Sequence, residues 1–162
     1  MGAYAYEAPS NLSDAIALLD EHAKDGKRAQ ILAGGTDLLV QMRSVDNTPR
    51  TIIDVKSLDE TNRLDIGDEI YIGSAIPSAQ LYDNEQLKNL LKGLIEDSDL
   101  IGSTQIQGRA TIGGNLCNSS PAGDSIPAMI AVGAVCDIAG VSGSRELPVE
   151  DFVTGVGTNA LS

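Results

Sequence analysis

The chain has 162 residues, 42% of them hydrophobic, with 17 glycines, one Phe, four Tyr and no Trp. That is enough apolar material for one domain or two small lobes, built on turns and close backbone packing rather than on large anchors. A formal charge of −12, from 23 acidic and 11 basic residues spread along the chain, argues against nucleic acid or anionic lipid as a direct partner, with salt tolerance as the plain alternative source of the acidity.

No apolar run approaches the roughly 18 residues of a membrane span, and no charged-then-apolar leader precedes the first element. The expected location is cytoplasmic, with no membrane span. The stretch "PSNLSDAIALLDEHAKDG" places Leu12, Ile16, Leu19 and Ala23 at helical spacing, with Ser10, Asn11 or Ser13 as N-cap and Gly26 as the stop. His22, the only histidine, falls near the end of this helix, where an imidazole complements the helix dipole; nothing beside it reads as a catalytic partner.

"AQILAGGTDLLVQMR" then reads as a short strand, a Gly34-Gly35-Thr36-Asp37 turn and a helix running through Arg43, and "RTIIDV" as the next strand. Two strands joined across a helix make a βαβ-like unit with parallel pairing. Its glycine turn and first helical turn leave N–H groups directed outward, which is an anion cradle.

The period changes to two in "NRLDIGDEIYIGS", where Leu64 and Ile66 face Ile70 and Ile72 across a Gly67-Asp68 turn, a hairpin signature. "NEQLKNLLKGLIEDSDLIGS" sets Leu87, Leu90, Leu91, Leu94 and Ile95 on one helical face. "SIPAMIAVGAVCDIAG" reads as a short helix followed by a strand, and "VSGSRELPVEDF" as a turn and a further strand. The fold class is α+β, a small mixed N-terminal lobe joined to a second lobe built on antiparallel strands. The last residues, "FVTGVGTNALS", show no stop signal and no evident packing role, so the chain is expected to be a fragment.

Cys117 and Cys136 are the only cysteines. They are too few for an iron–sulfur cluster held within the chain, which takes about four ligands, and with one histidine too few for an ordinary zinc site, so no metal is expected. Both should be reduced, and Cys136, in the apolar run "AVCDIAG", should be a buried core thiol.

Three glycine patterns compete for a functional role. "GVGTNA" fits G-x-G-x-x-A, but that fingerprint works only between a strand and a following helix, and only Leu161 and Ser162 remain after it. No G-x-x-x-x-G-K-[ST] motif occurs. The remaining pair is "AGGTDL" and "ATIGGNLCNSSPAGD", each a double glycine followed by a small polar residue. Facing each other across a cleft, they would offer N–H donors to both sides of a diphosphate, with side-chain bonds from Thr36, Thr111 and Asn115. Asp124 would repel a diphosphate but could accept from ribityl, ribose or adenine groups further along a dinucleotide; it also reads as the N-cap of the helix that follows.

"ILAGGTDLLVQMR" followed by "QIQGRATIGGNLCNSSPAGDSIPAM" resembles the FAD-binding medium subunit of molybdenum hydroxylases, the xanthine, carbon monoxide and nicotinate dehydrogenase type, over essentially the whole chain. The resemblance implies a two-lobed FAD-binding domain of the p-cresol methylhydroxylase and vanillyl-alcohol oxidase type, with lobes at residues 1–57 and 58–162. It implies that the second lobe is truncated and that the usual C-terminal domain is absent. The loop of Ile31, Leu32, Ala33, Gly34, Gly35, Thr36, Asp37 and Leu38 would wrap the diphosphate, and Thr111, Ile112, Gly113, Gly114 and Asn115 would close from the other lobe. Ile101 would line the cofactor and Asp124 would contact its nucleotide end.

The implied chemistry is electron transfer. A large molybdopterin subunit hydroxylates the substrate, a small subunit with [2Fe–2S] clusters carries electrons singly, and FAD stores two before reducing NAD⁺, a quinone or another acceptor. The implied assembly is a dimer of heterotrimers. This chain would hold no catalytic residue and no metal, and would be inactive alone. A self-contained flavin oxidoreductase of the same fold and a cofactor-free docking module stay open as alternatives.

Overall fold

The computed structural model describes residues 4–43 and 48–161. Strand β1 (Tyr4–Glu7), helix α1 (Leu12–Lys24), β2 (Ala29–Leu32), α2 (Leu38–Arg43) and β3 (Arg50–Asp54) form a three-stranded parallel sheet of order β1-β3-β2. Every residue of β3 is buried, as befits a central strand covered on both faces. Ile53 packs with Ala15 of α1 on one side, and Ile52 with Leu32 and Leu38 on the other. The parallel βαβ unit is as the sequence predicts; β1 is an added strand, because "YAYE" carries no turn or period signal strong enough to mark it.

Helix α1 begins where Asn11 Oδ1 accepts from Asp14 N at 2.9 Å. Its buried side is centred on Ala15, with Leu18 and Leu19 packed against it, while Ala23 is exposed. The helix is therefore rotated relative to the stripe of Leu12, Ile16, Leu19 and Ala23.

A short α3 (Asp59–Asn62) leads into the hairpin of β4 (Leu64–Ile66) and β5 (Ile70–Ile72), antiparallel as expected. Helices α4 (Ser78–Tyr82), α5 (Glu85–Leu90), α6 (Lys92–Asp99), α7 (Thr104–Gln107), α8 (Ile112–Asn118) and α9 (Ser125–Ala131) follow. The single helical face expected in "NEQLKNLLKGLIEDSDLIGS" is broken at Leu91 (φ −124, ψ 44). The break sends Leu90 to the surface, 55% exposed, while Leu87, Leu94 and Ile95 stay in the core.

Strands β6 (Val135–Gly140) and β7 (Gly143–Pro148) form an antiparallel hairpin, followed by α10 (Val149–Phe152) and the small hairpin of β8 (Val153–Gly155) and β9 (Thr158–Asn159). Cys136 is half-buried on β6, packed at the edge of the core rather than within it.

The C-terminal stretch does pack. Phe152 is 2% exposed in the main core, Gly157 N donates to Ser119 O, and Asn159 Nδ2 donates to Cys117 O at 2.7 Å. The "GVGTNA" pattern is thus the turn of a hairpin and has no helix after it among the described residues.

Candidate functional site

The first glycine motif lies at the carboxyl end of β2, where ligands of open parallel sheets commonly bind. Gly35 has φ +77, and its carbonyl accepts from Leu39 N, which starts α2. Among the described residues, the N–H groups of Gly34, Gly35, Thr36 and Asp37 donate to no backbone carbonyl. Ile31 and Asp37 are exposed, Ala33, Gly35 and Thr36 half-buried, and Leu32, Gly34 and Leu38 buried. The turn is therefore anchored at its two apolar ends and open between them.

The second motif is not a loop. Thr111 caps α8, its Oγ1 accepting from Gly114 N at 2.9 Å, so that N–H is already engaged and is not a free donor. Thr111 and Ile112 are buried, and Gly113, Gly114 and Asn115 half-buried. Ser119, left-handed at φ 49, ends the helix.

What joins the motifs is a backbone contact. A Cβ on Gly34 would stand 2.2 Å from Arg109 O and 3.1 Å from Ala110 Cα, immediately ahead of Thr111. The strand-like stretch around Ala110 is itself held by Ser78, whose N–H and Oγ both donate to Ala110 O. A Cβ on Gly113 would stand 2.7 Å from Ser74 O. Arg109, Ser74 and Ser78 were not singled out from the sequence, because nothing local marks a residue that receives a distant glycine.

Beside Gly34 lies a cleft of about 140 Å³ lined by Gly34, Lys56, Asn62, Ala75, Pro77, Gly108 and Arg109, with no residue of the second motif in its wall. It brings two cations and no carboxylate to Gly34. Lys56 is fixed by Asp54, which also accepts from Tyr6 Oη at 2.6 Å and from Lys56 N at 2.9 Å. The cleft is smaller than the roughly 300 Å³ at which ligand-enclosing pockets begin, so a dinucleotide would lie over an open groove. A wider depression of about 500 Å³ separates α1 from the β6–β7 hairpin; it is lined by Leu12, Ile16, Glu60 and Val141 among others and belongs to neither motif.

Asp124 is exposed and has helical dihedrals without a side-chain cap bond, so it does not cap α9. The adjacent Ser125 instead bonds Asn115, tying the Asp124 end of α9 to the second motif. Ile101 is 8% exposed, just beyond α6. His22 lines neither the cleft nor the motifs. Among the described residues no group of His, Cys, Asp and Glu is placed to hold a metal ion, and no helix is long and apolar enough to cross a membrane.

The arrangement can hold a polar, extended anion by backbone N–H groups. An FAD fits what is present: unsatisfied donors at the first motif, glycines where backbone comes close, and an exposed carboxylate set apart from them.

A family model described as the FAD binding domain in molybdopterin dehydrogenase matches residues 2–162. The chain is 34% identical over 155 residues to a nicotinate dehydrogenase FAD-subunit of Eubacterium barkeri, covering 95% of this chain and 52% of the relative. It is 33% identical over 159 residues to a xanthine dehydrogenase FAD-binding subunit of Escherichia coli O157:H7, covering 97% and 53%. In three dimensions it resembles a chain of reconstituted CO dehydrogenase from Oligotropha carboxidovorans, with a TM-score of 0.91, 30% identity and coverage of 99% of this chain and 56% of that one. The chain spans about half the length of the curated relatives it matches.

Proposed function

The chain belongs to the family of FAD-binding domains of molybdopterin dehydrogenases, and on that premise we propose that it is the FAD-holding part of a molybdenum hydroxylase. The observation that carries the reading is the seating of Gly34 against Arg109 and Ala110, which sets the two glycine motifs side by side. In this reading the N–H groups of Gly34, Gly35 and Thr36 hold the diphosphate from one side, and Gly113 and the Asn115 carboxamide from the other. Gly114 lets the cofactor approach, its own N–H being spent on Thr111. Leu32 and Leu38 anchor the first loop, Ile101 lines the groove, and Asp124 accepts from hydroxyl or amino groups of the nucleotide end.

Bound FAD supplies a two-electron store that exchanges electrons singly or in pairs. This chain's residues bind and orient it, and none of them takes part in bond making. Electrons would enter from the [2Fe–2S] clusters of a small partner subunit, downstream of a large molybdopterin subunit, and leave to NAD⁺, a quinone or another acceptor in the cytoplasm. The assembly would be a dimer of heterotrimers. We assign the chain the two-lobed arrangement of p-cresol methylhydroxylase and vanillyl-alcohol oxidase, with lobes at 1–57 and 58–162. The parallel sheet lying wholly before residue 57, and the main core drawn wholly from later residues, support that division.

The test is a titration of the chain with FAD, followed by quenching of flavin fluorescence. Saturable binding at one site per chain is expected. No binding, by a chain whose circular dichroism shows it folded, overturns the reading of this chain as sufficient to hold FAD.

A further inference from the structure

Asn115 stands in the first turn of α8, with its backbone N–H bonded to Thr111 O at 2.9 Å. Its carboxamide is gripped from the next helix. Ser125, 0% exposed, donates from Oγ to Asn115 Oδ1 at 3.0 Å. Gly123 closes the same space, because a Cβ there would stand 3.2 Å from Oδ1. Asn115 Nδ2 has no hydrogen-bond partner among the described residues and is not fully buried.

We propose that Ser125 is a positioning residue for the diphosphate: its buried hydroxyl holds Asn115 by Oδ1 and thereby presents Nδ2, donor first, to the anion. The proposal rests on the reading of Asn115 as a diphosphate contact. A carboxamide is nearly symmetric in shape but not in charge, and a half-turn of its plane exchanges a donor for an acceptor. Against a phosphate oxygen the NH₂ edge attracts and the C=O edge repels. In the arrangement present the hydroxyl donates to Oδ1, which leaves the NH₂ edge for the ligand and polarises the amide so that Nδ2 donates more strongly. The Ser125 hydroxyl can supply that donor, whereas alanine cannot. The same bond couples the two ends of the bound dinucleotide, since Ser125 adjoins Asp124.

The experiment is a double-mutant cycle on FAD affinity, measured by fluorescence titration of the chain as wild type, Ser125→Ala, Asn115→Ala and the double variant, with Ser125→Thr as rescue and thermal unfolding of each. Ser125→Ala is expected to weaken FAD about tenfold, Ser125→Thr to restore most of the affinity, and Ser125→Ala to add nothing in the Asn115→Ala background. An Ser125→Ala protein that binds as wild type while Asn115→Ala is weakened overturns the role of Ser125 alone. Equal losses from Ser125→Ala in both backgrounds do the same, since they make the effect merely structural. Wild-type affinity in Asn115→Ala overturns the reading of Asn115 beneath it. Should Ser125→Ala fail to fold, Ser125→Cys, which keeps a side chain of similar shape with a much weaker donor, takes its place in the cycle with the same expected and overturning results.

Discussion

Gly34 and Arg109 meet backbone to backbone: a methyl group on the Gly34 α-carbon would lie 2.2 Å from the Arg109 carbonyl oxygen. That separation is well inside van der Waals contact, and the atom in the way is main chain, fixed by the Ser78 bonds to the neighbouring Ala110. Gly34→Ala should therefore push the two motifs apart. A destabilisation of about 2–3 kcal/mol, read as a fall of roughly 5–10 °C in the unfolding midpoint, is expected together with loss of FAD binding. An unchanged midpoint would show that the contact is not closed in solution.

The paired glycines of the second motif should respond differently. A Cβ on Gly113 meets the Ser74 carbonyl and α-carbon, whereas one on Gly114 meets only the Thr111 hydroxyl, at 2.8 Å. Gly113→Ala is expected to cost about 2 kcal/mol of stability. Gly114→Val should disturb the cap by about 1 kcal/mol, leave the fold largely intact and abolish FAD binding. Urea unfolding and FAD titration of both variants check this; flavin retained by Gly114→Val removes Gly114 from the cofactor's path.

Asp54 gives a pH prediction with a definite sign. Burial works to raise its pKa, but hydrogen bonds from the Lys56 ammonium, the Tyr6 hydroxyl and the Lys56 N–H outweigh it, and the carboxyl ends below its ordinary value of 3.8. A depressed carboxylate stabilises the fold above the unfolded value, and that contribution is lost as pH falls through the folded one. Stability should therefore drop below about pH 3.8. Asp54→Asn should remove that part of the slope and cost about 1–3 kcal/mol at neutral pH. Urea midpoints measured down through this range test it, and an unaltered acid slope in the variant would refute it.

Tyr6 should act at the opposite end of the scale. Its hydrogen bond to Asp54, with desolvation and the carboxylate charge behind it, raises the hydroxyl above its ordinary value of 10.0. Its contribution is full below that value and is lost as pH rises through the folded pKa. Tyr6→Phe should flatten the alkaline limb and also weaken the acid limb, since it removes one of the bonds that depress Asp54 while the Lys56 bonds remain; spectrophotometric titration and urea midpoints against wild type measure the two effects.

Cys117 should be slow to react. The residue is exposed as a whole, but desolvation and a smaller push from Cys136 raise its thiol to about 11. Against an ordinary thiol of 9.0, thiolate at neutral pH is reduced about 100-fold. Modification by a disulfide reagent in the native state should lag that of the unfolded chain by a similar factor; equal rates would place the sulfur in solvent.

The sequence alone determined what short-range chemistry determines. A cap for α1 among Ser10, Asn11 and Ser13, which the structure narrows to Asn11, the glycine turn into α2, the hairpin about Gly67-Asp68 and the two motifs of small residues were legible, because capping bonds, turn dihedrals and side-chain period act within a few residues. The tertiary structure decided what depends on distant partners. Strand β1 exists because β3 offers it an edge, and the helical stretch breaks at Leu91 with Leu87, Leu94 and Ile95 all held in one core and Leu90 turned to solvent. The second motif is a capped helix, Asp124 caps nothing, and Gly34, Gly113 and Asn115 owe their settings to Arg109, Ser74 and Ser125. Close approach and hydrogen-bond partnership are properties of pairs, and when the two members lie far apart in the chain only the folded backbone brings them together.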